Sequence, residues 1–344
     1  MRKKFFNIAV NLLLIILIGT LNAQSIQKYT ELGDFKLESG EYILDCKVGF
    51  RTFGTLNEEK SNAILNPTWF AGTSEHLGNL IGNGPNKLLD SSKFFIIAVD
   101  AIGNGISTSP SNSEKQNGND FPQFTIRDMV NSQYRLVKDF LKIDRLHTVI
   151  GGSMGSMQAL EWIVAYPEFV EKCIAYVPTP WASTYDQLLW HTRLHLIESS
   201  LKAGVPEKEI MKTINMLTQL VARTADWYVR NNPIEKFPEI LKSFDREPSK
   251  IFTSIDYAYQ LRSMIGHDIS RSVNLEKEKL KEHIKSKVFL IISLQDQILH
   301  PKSAIDFAEL IGAKTLIFDS ECGHLAVNCE MEKTAKAIAE FLDR

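Results

Sequence analysis

The sequence of 344 residues predicts an α/β fold: a mostly parallel sheet with helices on both faces, interrupted by a helical insertion. Three observations predict it. Short apolar runs alternate with amphipathic stretches between residues 41 and 177. The same alternation returns at Lys287 and continues to Leu342. Between the two lie about 100 residues with helical periodicity and no convincing buried strand.

The elements follow in order. Residues 41–53 alternate in the manner of a strand. Asn62–Phe70 and Phe94–Asp100 are short apolar runs, as buried strands are. From Thr125 to Ile143 apolar residues recur at helical spacing, among them Ile126, Met129, Val130, Val137 and Phe140. Leu146–Ile150 is strand-like and runs into Gly151-Gly152. A helix pattern over Met157–Tyr166 stops at Pro167, which cannot continue it. Val170–Val177 is again strand-like. After the insertion come a strand at Lys287–Leu294, a helix at Lys302–Ile311, a strand at Lys314–Phe318 and a helix at Ala326–Leu342. The expected division is a core of residues 24–180 and 287–344 with an insertion at 181–286. Such an insertion can cover the carboxyl edge of the strands, where open α/β sheets place their sites.

Composition narrows the function. Lys and Arg number 39 against 41 Asp and Glu, a net charge of −2. No basic excess exists to hold a phosphate backbone, so nucleic acid is not an expected partner. At the N-terminus Arg2, Lys3 and Lys4 precede an apolar stretch from Phe5 to Ile18, with small Ala23 at a cleavage position. That is the pattern of a secretory signal peptide over residues 1–23. The apolar run is shorter than the roughly 20 residues a spanning helix needs, so no stable membrane anchor is expected after cleavage. Cleavage leaves 36 basic against 41 acidic residues, a net charge of −5. The expected location is outside the cytoplasm, periplasmic or secreted. The four cysteines form no C-x-x-C or Cys/His cluster, and no metal or cofactor is expected. They read as buried thiols; if one pair is bridged, Cys322–Cys329 is favoured, flanking His324.

Gly151-Gly152-Ser153-Met154-Gly155 fits G-x-S-x-G, with an apolar strand before it and a helix after. This context is that of a nucleophile elbow, a strained turn that presents a serine hydroxyl at the sheet's edge. A serine hydroxyl needs a base to take its proton. In this arrangement the partners follow in the order Ser, acid, His. Asp296 lies just after the apolar strand that begins at Lys287, and His324 lies in the loop between the last strand and the last helix. His267-Asp268 precedes the late strand and breaks that order. The expected triad is Ser153, Asp296 and His324. Acyl transfer also needs donors for the developing oxyanion. The backbone N–H of Met154 is one. The backbone N–H of Phe70, in the loop after an early strand, is the other. Gly103-Asn104-Gly105 lacks the third glycine of a dinucleotide fingerprint, and no helix opens there.

GGSMGSMQALEW, FFIIAVDAIGNGISTSPS and SIDYAYQLRSMIGHDIS together resemble the homoserine O-acetyltransferases, a branch of the α/β-hydrolase superfamily. The early VGFRTFGTLNEEKSNAIL is similar too, so the resemblance spans roughly residues 40–344. It implies an α/β-hydrolase fold with an inserted helical lid, often a homodimer packed through that lid. It implies the same triad and an acyl-enzyme, with a small-molecule acyl substrate. It also implies that Arg223 binds a substrate carboxylate. Two positions depart from the family. Ser156 stands where a second glycine usually follows the elbow. Leu325 stands where an Asp usually follows the histidine to meet the homoserine amine. An apolar Leu325 cannot pair an ammonium group, and acetyl-CoA is a cytoplasmic donor. The expectation is therefore an exported serine hydrolase of an ester, thioester or amide, with O-acyl transfer as the alternative and a non-catalytic binding protein as the most distant one. Trp181, Tyr185, Trp190 and Met216 are the expected apolar lining from the insertion.

Overall fold

The computed structural model describes residues 25–343. The signal-peptide expectation for residues 1–23 lies outside the described residues. Eight strands form one sheet: β1 (Lys28–Lys36), β2 (Tyr42–Phe53), β3 (Ala63–Pro67), β4 (Phe95–Val99), β5 (Leu146–Gly152), β6 (Val170–Tyr176), β7 (Lys287–Ser293) and β8 (Lys314–Phe318). Their order is β1-β2-β4-β3-β5-β6-β7-β8. Strands β1 and β2 pair antiparallel, as do β2 and β4; every pairing from β4 through β8 is parallel.

Period-two burial places one apolar set on each face of the sheet. On β7, Val288, Leu290 and Ile292 join one core while Phe289 and Ile291 join the other. On β5, Val149 and Ile150 divide in the same way. The helices that cover these faces begin where a side chain can satisfy their first amides. Helix α1 (Ser74–Gly78) opens at Thr73, and α2 (Ile126–Arg135) opens at Thr125, whose hydroxyl accepts from the Asp128 N–H. Helix α3 (Met154–Ala165) follows Ser153 directly.

The insertion is helical. It comprises α4 (Thr184–Lys202), α5 (Glu207–Ala222), α6 (Ala225–Asn231), α7 (Phe237–Ser243), α8 (Ser254–Ile265) and α9 (Leu280–His283). Capping boxes at Ser183/Asp186 and Thr253/Asp256 set the start of α4 and α8. The core then resumes with α10 (Lys302–Ile311), α11 (Ala326–Cys329) and α12 (Met331–Leu342). The spacing predicts one helix over Ala326–Leu342, but two form: Glu330 has a non-helical backbone, φ −109° and ψ 33°, and separates them. Similarly, the helix expected over Thr125–Ile143 ends its α-helical part at Arg135 and continues as a single π-turn, Leu136–Phe140. Strand β1 has no counterpart among the expected strands. Its register breaks between Glu31 and Gly33 and again between Gly33 and Phe35, so its alternation is interrupted.

Candidate active site

Strand β5 ends at Gly152 and α3 begins at Met154, so the chain reverses at Ser153 alone. Ser153 has φ 54° and ψ −125°, a strained backbone for a residue with a Cβ. The flanking glycines are a steric requirement. A Cβ on Gly151 would lie 2.0 Å from the Gly155 carbonyl oxygen, and one on Gly152 would lie 1.8 Å from the Tyr176 ring. At Gly155 the conflict is with the Pro67 carbonyl oxygen at 2.7 Å, so α3 closes directly against the end of β3. Ser156 fits where a glycine was expected by resemblance, because its hydroxyl donates to the Ser153 carbonyl oxygen at 2.6 Å.

The three residues expected to act together meet. His324 Nε2 lies 3.0 Å from Ser153 Oγ, and His324 Nδ1 lies 2.7 Å from Asp296 Oδ2. A carboxylate can only accept, so the imidazole carries its proton on Nδ1 and leaves Nε2 free to accept the serine proton. Asp296 is fixed from its other side: Oδ1 accepts from the Ile298 N–H at 2.8 Å and the Leu299 N–H at 3.0 Å. The Asp296 side chain is 2% exposed and that of His324 is 11% exposed, so the relay is sheltered from water but reachable.

The loop that carries His324 is held at both ends. Cys322 and Cys329 form a disulfide, while Cys46 and Cys173 are free and buried. Gly323 has φ +57°, and a Cβ there would meet Arg223 Cα at 3.1 Å and the Gln295 carbonyl oxygen at 3.2 Å. The Thr224 N–H donates to the Glu321 carbonyl oxygen at 3.0 Å, so the turn at Arg223-Thr224 docks on the histidine loop.

A cavity of about 680 Å³ opens beside Ser153 and His324. Core residues Phe70, Tyr176 and Leu325 make part of its wall; Trp190, Arg223, Tyr257 and Met264 of the insertion make another part. Among the described residues no cluster of three or more His, Cys, Asp or Glu side chains is arranged to hold a metal ion. None of their helices is long and apolar enough to cross a membrane.

With this geometry in view, comparison with known proteins bears on the fold. The family model of the α/β hydrolase fold matches residues 77–197. A solved acetylester hydrolase from Corynebacterium glutamicum is 26% identical, covers 93% of this chain and 97% of its own, and superposes with a TM-score of 0.84. The homoserine O-acetyltransferase from Bacillus anthracis is 25% identical over 93% of this chain and 98% of its own, with a TM-score of 0.81. The chain has the α/β-hydrolase fold. An ethyl acetate hydrolase from Pseudomonas veronii is 39% identical over 51% of this chain and 50% of its own. The chain thus spans about half the length of the curated esterases it matches first.

Within this α/β-hydrolase scaffold the remaining candidates separate. Met154 is the first residue of α3, so its N–H has no intrahelical acceptor. The Phe70 N–H also has no hydrogen-bond acceptor among the described residues. The loop carrying Phe70 is braced by Gln158, which donates to the Thr68 carbonyl oxygen at 2.9 Å. It is braced also by Gln260, which accepts from the Ala71 N–H at 3.1 Å. Arg223 lines the cavity, with its guanidinium 4.2 Å over the Trp227 ring and its Nε buried without a partner.

Of the four apolar lining candidates only Trp190 reaches the cavity wall. Trp181 instead packs edge-on to Phe307, with the Lys277 ammonium over its face. Tyr185 sits on the outer surface against His300, 44% exposed. Met216 is half-buried on α5 and does not line the cavity; Asn215, Thr218 and Gln219 of the same helix do. Helical spacing fixed which residues share a face of α4 and α5, but not which face meets the cavity. Tyr257, Gln260 and Arg193 were not anticipated. The signal for Arg193 was a lone arginine in the otherwise weakly polar LLWHTRLHLI.

Proposed function

We propose that the chain is a serine hydrolase of short acyl esters that works through a covalent acyl-enzyme. The observation that carries this reading is the relay from Asp296 through His324 to Ser153 Oγ, on the wall of a cavity with Leu325 beside it. His324 Nε2 takes the Ser153 proton as Oγ attacks the ester carbonyl. The Met154 and Phe70 N–H groups receive the developing oxyanion. His324 then gives its proton to the departing alkoxide, which leaves as the alcohol. Water, deprotonated by His324, attacks the acyl-serine; the carboxylic acid departs and Ser153 regains its proton. Asp296 keeps the imidazole in the required tautomer and stabilises the imidazolium that forms.

The names of the relatives support an ester as substrate: an ethyl acetate hydrolase and an acetylester hydrolase are among them. A second reading, O-acetyl transfer to homoserine, is favoured by Arg223, whose cationic side chain lines the cavity. Leu325 counts against it. A buried ammonium left without its carboxylate typically costs several kcal/mol, and a loss of about 3 kcal/mol lowers specificity more than a hundredfold. The test supplies purified protein with short acyl esters, and separately with acetyl-CoA and homoserine. Ester hydrolysis faster than acetyl-homoserine formation supports the hydrolase; the reverse order restores the transferase.

The reading includes export, which the charged and apolar pattern of residues 2–18 supports, and the Cys322–Cys329 bridge is compatible with an oxidising compartment. Fractionation of cells expressing the full chain tests it, a purely cytoplasmic product counting against export. A homodimer through the insertion is likewise proposed. The exposed apolar side chains Leu188, Leu220, Val229 and Ile234 support it. A monomeric mass in solution would contradict it.

A further inference from the structure

One part of the cavity wall carries hydrogen-bond donors without acceptors. Arg193 is only 5% exposed, yet its Nε and Nη2 have no hydrogen-bond partner. Its Nη1 donates to the Tyr257 hydroxyl at a long 3.4 Å. Trp190 lies three residues earlier on α4 and therefore on the same face. It is 1% exposed, and its Nε1–H is unpartnered as well. Both residues line the cavity that holds Ser153 and His324. Three acids of the same insertion are engaged elsewhere: Glu198 pairs with Arg262, Asp186 accepts from the His300 N–H, and Glu207 accepts from Ser254. A guanidinium held out of water without a counter-charge is unfavourable, and an anion that reaches it removes the penalty.

Tyr257 links this cluster to the reacting end. Its hydroxyl meets Arg193, and its ring packs edge-on to Phe70 with centroids 4.5 Å apart. The cation therefore stands one tyrosine's length from the loop proposed to hold the oxyanion. A substrate that reaches both needs only a short carbon chain between its ester and its charge.

We propose that Arg193, with the Trp190 Nε1–H beside it, is an anion subsite that receives a carboxylate carried by the ester substrate. The proposal rests on the ester-hydrolase reading and names its substrate class: short esters bearing a free carboxylate. The guanidinium fork matches two carboxylate oxygens, which the indole N–H supplements. The carboxylate can belong to the acyl part, as in a half-ester of a dicarboxylic acid, or to the alcohol part, as in an acylated hydroxy acid.

The experiment compares kcat/KM within two pairs of similar length. Monomethyl glutarate against methyl hexanoate places the charge on the acyl side; 4-acetoxybutyrate against butyl acetate places it on the alcohol side. The acidic member of at least one pair is expected to be favoured by about tenfold or more, the scale of a charge-assisted hydrogen bond. The pair that shows it identifies the side. In Arg193→Met that acidic-to-neutral ratio should fall by about tenfold or more, and Arg193→Lys should keep an intermediate ratio. Arg193→Gln serves if the methionine variant does not fold. No preference for either acidic ester, or a ratio unchanged in a folded Arg193 variant, overturns the subsite. Thermal unfolding with glutarate separates the two readings. If no ester is turned over, the hydrolase reading fails, but a glutarate-dependent rise in Tm that disappears in Arg193→Met still supports the subsite. Absence of that rise in the native chain counts against it.

Discussion

Ser153 occupies a backbone conformation that its own side chain disfavours, φ 54°, and it is held there by glycines that cannot be enlarged. The proposed chemistry makes its neighbours separable by substitution. In Asp296→Asn the side chain no longer selects the imidazole tautomer with its proton on Nδ1. Turnover of a short ester should fall by about 10⁴, while substrate binding changes much less. A variant within tenfold of the native rate would remove Asp296 from the proposed mechanism. Leu325→Asp places a carboxylate next to His324, where the homoserine O-acetyltransferases are expected to hold the amine. It should gain measurable acetyl transfer to homoserine and lose ester hydrolysis. A variant with no transferase gain would show that Leu325 does not decide the acceptor. Both residues could be chosen from the sequence, because chain order and a short motif fix them. Arg193 could not, since its meaning depends on what surrounds it in space.

At the scale of elements, the junction of β5 and α3 leaves no room for an added methyl group. A methyl group on Gly151 would lie 2.0 Å from a backbone oxygen, where no flexible side chain can yield. Gly151→Ala should therefore cost about 3 kcal/mol in urea unfolding, at the upper end of overpacking effects. A cost below about 0.5 kcal/mol, the range of neutral surface changes, would show that the elbow relaxes freely. The end of α8 makes a different prediction. His267 is buried, and burial lowers its pKa to about 4. The unfolded chain takes up this proton below about pH 6.5, whereas the folded chain does not until about pH 4. Stability from the neutral imidazole is thus present above pH 6.5 and drains away as pH falls towards 4. The stability difference between the native chain and His267→Gln should shift against the native chain by about 2–3 kcal/mol between pH 7.5 and 4.5. A pH-independent difference would mean that His267 titrates alike in both states, and a shift in favour of the native chain would mean that it is protonated in the folded state. Strands β7 and β8 and helix α10 were legible from apolar runs and their punctuation, since each is regular throughout. The breaks at Glu330 and after Arg135 were not. Apolar periodicity continues across both, and only the backbone shows where the hydrogen-bonding pattern changes.

The whole molecule joins a sheet that presents Ser153 at its carboxyl edge to an insertion that closes a cavity over it. The alternation of strands and helices made the sheet readable, and the order Ser, Asp, His made the candidate triad readable. Which faces of the insertion look inward was not readable, because amphipathic helices of a lid bury one side against each other and another against the cavity. Trp181, Tyr185 and Met216 illustrate this: each is apolar, and none reaches the wall. The central claim is that ester hydrolysis passes through an acyl group on Ser153. The measurement that tests it most directly follows purified protein with a short acetyl ester by intact and peptide mass spectrometry after rapid quenching, beside steady-state hydrolysis. The account predicts an acetyl adduct on the peptide containing Ser153. It also predicts a hydrolysis rate that drops by about 10⁴ or more in Ser153→Ala. Equal hydrolysis by the native chain and Ser153→Ala, with no adduct on that peptide, would contradict it.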